Sequence, residues 1–109
     1  MLVPQSAALP SPERLVFLLT DEMESDDFPI WEFVWTLNTM APSASLTDKI
    51  RLARHAVSLV VGQYDLWRGD WPGGPVTPLT ESEMQTLANN DEPWHDPERA
   101  TLLVWLRQA

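Results

Sequence analysis

At 109 residues, with 44% apolar and 21% charged side chains, the chain has the balance of one folded domain and not the depleted hydrophobicity of a disordered one. Sixteen acidic against seven basic residues give a formal charge of −9, which repels phosphate backbones, disfavours nucleic acid and favours a basic protein partner. The absence of cysteine excludes a disulfide framework and thiolate chemistry and suits a cytoplasmic setting.

The opening stretch, MLVPQSAALPSP, lacks the basic and continuous apolar regions of a secretory signal. Residues 1–11 read as a flexible tail before a single globular domain over 12–109, monomeric or paired with its own copy. A helix starts with Ser11 as N-cap, Pro12 at its first position and Glu13 in its first turn, and carries Leu15, Val16, Leu18 and Leu19. It runs into DEMESDD at 21–27, where five carboxylates in seven positions repel one another and predict an exposed, irregular connection.

Asp27 is placed to cap a second helix entering at Pro29, within FPIWEFVWTLNTM. That helix is apolar nearly all round, as expected of a buried helix or one that also meets a partner. Ser45 or Thr47 begins a third, with Ile50, Ala53, Val57 and Val60 on one stripe and Gly62 to end it. Lys49, Arg51 and Arg54, with His55, read as its other, basic side. AVSLVV at 56–61 is far shorter than the roughly 20 residues of a membrane span.

A strand over 63–68 leads into RGDWPGGP, read as a turn in which Gly69, Gly73 and Gly74 supply positive φ. Arg68-Gly69-Asp70 spells an adhesion tripeptide that three common residues form by chance. PLTESEMQTLANN places Thr80 and Glu83 at capping-box spacing, with Met84, Leu87 and Ala88 as the apolar face. A turn-rich connection surrounds Trp94, and TLLVWL at 101–106 reads as a buried strand that pairs with 63–68. The fold expected is α+β, mainly helical and winged-helix-like, with a small antiparallel sheet and the loop 69–78 as its wing.

No nucleophile elbow, no phosphate-cradling glycine loop and no set of base, nucleophile and orienter stands out, so the reading is non-enzymatic and without cofactor. His95 beside Asp96 and Glu98 has only His55 as a second histidine, too few nitrogens for a metal site, and the acidic run lacks the ligand ladder of a calcium loop. Six tryptophans exceed what so small a core hides: Trp31, Trp105 and one of Trp67 or Trp94 are expected inside, with Trp35 and Trp71 partly exposed.

The stretch from Asp27 to Leu106 resembles small acidic immunity-type proteins encoded near bacterial polymorphic toxin genes, on GQYDLWRGDW, PLTESEMQTLANNDEPW and the final apolar strand. That resemblance implies a cytoplasmic, non-enzymatic inhibitor of a partner and no catalytic residues. Carboxylates facing a basic cleft suit that role. The partner-binding residues expected are Asp21, Glu22, Glu24, Asp26, Asp27, Trp71, Asp91 and Glu92, with Asp96 and Glu98 in the second acidic group. The alternative is a winged-helix regulator that meets DNA through Lys49, Arg51 and Arg54 of the third helix.

Overall fold

The computed structural model of the chain describes residues 9–25, 27–70 and 74–109. Three helices, α1 (Pro12–Ser25), α2 (Trp31–Met40) and α3 (Leu46–Val60), precede the strands β2 (Tyr64–Gly69) and β3 (Val76–Pro78). α4 (Glu81–Asn89), the single turn α5 (Glu92–His95) and β4 (Val104–Gln108) complete the α+β fold, and a two-residue strand, β1 (Phe28–Pro29), separates α1 from α2. The sheet is antiparallel in the order β1-β4-β2-β3, so the C-terminal strand is central. Among the described residues no helix is long and apolar enough to cross a membrane.

α1 corrects the expected irregular acidic connection. Ser11 Oγ accepts from the Arg14 amide at 3.1 Å, as a cap should, but the helix then continues through Asp21, Glu22 and Glu24. The cause is spacing. Leu15, Leu19 and Met23 stand four apart and all are buried, so each turn of the acidic run still packs an apolar side chain into the core. Burying a methionine side chain contributes about 1.5–3 kcal/mol, which outweighs like-charge repulsion of a few tenths of a kcal/mol per exposed helical pair.

The entry to α2 also differs from expectation. The N-cap position is Ile30 and not Asp27; Phe28 and Pro29 pair with Leu106 and Trp105 of β4, and the Ile30 amide donates to the Val104 carbonyl at 3.1 Å. Proline is tolerated because β1 is an edge strand, where no outer partner needs its missing N–H. α2 buries Trp31, Phe33, Val34 and Leu37 and leaves Trp35 and Met40 exposed.

α3 follows its sequence signals. Ser45 accepts from the Asp48 amide at 3.1 Å, and Ile50, Ala53, Val57 and Val60 are buried. Gly62 has φ +114°, which L side chains rarely adopt. The Thr80–Glu83 capping box of α4 forms in both directions.

Gly69 contradicts its assignment as a positive-φ turn residue, as does Gly74; Gly73 lies outside the described residues. Gly69 belongs to β2, and its need for glycine is steric. A Cβ there would stand 3.0 Å from Val76 Cγ1 and 3.3 Å from Trp105 Cδ1. The close approach lets the Trp105 indole donate to the Gly69 carbonyl at 3.0 Å. The last strand starts at Val104 and not at Thr101, because its ladder with β2 runs from Arg68–Val104 to Tyr64–Gln108. Among the described residues Trp31, Trp94 and Trp105 are the buried tryptophans, the Trp94 indole donating to the Leu87 carbonyl, while Trp67 is half-buried.

Candidate partner-binding face

Anchoring α1 on Leu15, Leu19 and Met23 turns the opposite side of the helix outward. At helical spacing that side carries Glu13, Phe17, Asp21 and Glu24, with Arg14 and Leu18 beside them. Phe17 is 69% exposed, a large apolar ring among charges with the exposed Leu18 beside it. Its visible partner is Arg14, whose guanidinium carbon stands 5.4 Å from the ring centroid. Asp21, Glu22 and Glu24 are all exposed. Phe17 was absent from the expected binding set, although the buried spacing of four identifies it: a phenylalanine two positions after Leu15 cannot share the stripe of Leu19 and Met23.

The negative field extends from α1 to the first turn of α2. The Glu32 carboxyl is pushed above its ordinary value, first by burial and second by the Glu22 carboxylate. The other predicted acids divide. Asp26 and Trp71 lie outside the described residues. Asp27 does not serve an outward face: its two oxygens accept from Arg107 Nε and Nη2 at 2.8 and 2.9 Å, and its side chain is only 12% exposed. This clamp ties the end of α1 to β4 and, through hydrogen bonding first, holds the Asp27 carboxyl below its ordinary value against the opposing effect of burial.

Asp91 is paired with Arg54 at 3.1 Å, and Asp96 with Arg99 at 3.6 Å, whereas Glu92 and Glu98 are exposed. The Arg54–Asp91 contact joins two residues assigned to rival readings, one to a DNA-binding helix and one to an acidic surface. The basic side expected on α3 is accordingly corrected. Lys49 is buried and donates to Asn38 Oδ1 of α2 at 3.1 Å. Arg54 also donates to the Asn90 carbonyl and stands 5.7 Å from the Trp94 ring centroid. Arg51 is exposed but meets Asp48 one turn earlier. Two of the three cations therefore hold the fold together, and no basic face of the expected kind is presented. Among the described residues no group of three or more metal-ligating side chains converges, at His95 or elsewhere.

The two perturbed carboxyls give the pH dependence of stability. Asp27, depressed in the fold, stabilises fully above its ordinary value of 3.8, and that contribution is lost as the pH falls through its lower folded value. Glu32, raised in the fold, has the opposite sign: its cost is present above its folded value and disappears below the ordinary 4.5. Asp27→Asn is expected to cost about 1–2 kcal/mol at neutral pH, the low end for a charged hydrogen-bonded pair because Arg107 is half-exposed, and to flatten the acid limb below pH ~4. Glu32→Gln should raise neutral-pH stability and leave that limb in place. Denaturant titrations across pH check both.

No protein-family model matches the chain, and no curated protein and no solved structure matches it either.

Proposed function

We propose that the chain is a non-enzymatic protein–protein interaction module that binds a basic partner on the outer face of α1, as the resemblance to immunity-type inhibitors implies. The observation that carries this reading is the placement of an exposed Phe17 among Glu13, Asp21 and Glu24 on a helix held down by three buried side chains. The two kinds of residue contribute differently. Carboxylates at a rim steer an oppositely charged partner to the surface and exclude like-charged ones. The ring, once covered, gains about 1.5–3 kcal/mol from desolvation and acts as an anchor. Acidity alone serves solubility equally well, whereas an exposed aromatic ring on an acidic helix face does not.

Comparative affinity capture from the source cells tests the proposal. Parent protein is expected to enrich a basic protein that Asp21→Lys/Glu24→Lys and Phe17→Ala each fail to retain. Equal recovery on all three would refute the assignment to α1. Retention of duplex DNA by the parent, lost on Arg51→Ala, would favour the regulator reading instead.

A further inference from the structure

On the flank of α3 turned away from α1, the end of α3, β2 and α4 enclose an apolar groove. Leu52, on the other side of α3, shares a cleft with Leu9 and Pro12 at the start of α1, whereas Arg54, Val57 and Val61 face the groove. One lobe, about 320 Å³, is bounded by Trp67 and Pro78, and the other, about 300 Å³, by Val57 and Trp94. Val61, Leu66 and Met84 line both, so the two lobes adjoin at these side chains. Val61 is 55% and Met84 44% exposed, although Met84 lies on the apolar face by which α4 buries Leu87.

We propose that this groove docks a short amphipathic helix of a partner protein, carrying two neighbouring apolar anchors and a lysine or arginine beside them. Two lobes that share walls suit side chains one helical turn apart, the spacing by which a helix fills a groove. A methionine at the junction adapts to differently shaped anchors. Charge decides the polar requirement. The charge of the groove's cation, Arg54, is already paired: its Nη2 donates to Asp91 and to the Asn90 carbonyl, while its Nε is buried without a hydrogen-bond partner among the described residues. Asp65, at the lobe of Trp67, is exposed and makes no ion pair among the described residues. The charge left over at the groove is therefore negative and calls for a cation on the occupant.

This proposal does not rest on the α1 reading, and its test separates the two. The probe is a fluorescent amphipathic leucine–lysine helix, compared by anisotropy with a scrambled peptide of identical composition. The parent is expected to be monomeric by light scattering and to bind the amphipathic peptide at least about tenfold more tightly than the scrambled one. Met84→Lys and Asp65→Lys, both at exposed positions, should each weaken binding about tenfold, or ~1.4 kcal/mol. Asp21→Lys/Glu24→Lys should bind as the parent does. Met84→Ser, checked by thermal melting, keeps the comparison valid where the lysine variant melts early. Equal binding of the scrambled peptide, an unaltered affinity of the Met84 and Asp65 variants, or a parent dimer split by Met84→Lys would each overturn the proposal, the last by making a second copy the occupant.

Discussion

Met23→Ala is expected to cost about 2–5 kcal/mol, the range for truncating a large buried side chain, and to lower Tm by about 4–8 °C for each kcal/mol lost. Met23 is 1% exposed and is the last of the buried positions that carry α1 through its acidic run. Charge reversal on the outer side of the helix, at Asp21 or Glu24, should move stability by no more than about 0.5 kcal/mol, because exposed like charges have little net worth. Urea titrations of the three variants check the contrast. A neutral Met23→Ala would mean that the acidic turns are not packed, and the outer face of α1 would lose its rigidity along with its claim to bind anything.

The second large effect is expected where β2 pairs with β4. Trp105→Ala should cost about 3–5 kcal/mol, since the indole is buried, meets Trp31 edge-on at 5.1 Å between centroids and donates to the Gly69 carbonyl. Gly69→Ala should cost about 1–3 kcal/mol by overpacking against Val76 and the same indole. The two substitutions share a contact and will not add. In the Trp105→Ala background the cost of Gly69→Ala should fall, and only partly, because the contact to Val76 Cγ1 at 3.0 Å remains. A double-mutant cycle measures the difference. Simple additivity would show that Gly69 is required for something other than the tryptophan above it.

Local chemistry was the part of the fold legible in the sequence. The Thr80–Glu83 box and the cap at Ser45, one of the two starts offered for α3, involve residues three apart and are both present. So is the pairing of the two long strands, of which only the C-terminal one is an apolar run. What escaped was set by contacts distant in the chain. Phe28–Pro29 is a strand only because β4 lies beside it, and Asp27 is spoken for by Arg107, 80 residues away. Lys49, read as part of a basic side, turns toward Asn38 of α2, a register that no pattern of charges reveals. The acidic run was misread for a different reason. Five carboxylates in seven positions mask the spacing of Leu15, Leu19 and Met23, although the apolar term is several-fold larger.

Of the eight expected partner-binding residues, Asp21, Glu22, Glu24 and Glu92 are exposed where they were expected to be, and Asp27 and Asp91 are held by arginines. A charge-reversal experiment should therefore leave Asp27 intact, since reversing it would set a second cation against Arg107 and confound binding with stability.

The central claim, that α1 is the face a basic partner meets, is tested most directly by association kinetics with the captured partner as a function of salt. Asp21→Lys/Glu24→Lys is predicted to associate about tenfold or more slowly at low salt and with a flatter salt dependence, while Phe17→Ala associates as the parent does and dissociates faster. A charge-reversed protein that associates as fast as the parent, with the same salt dependence, would contradict the account and leave the acidity of this chain as a property of its surface alone.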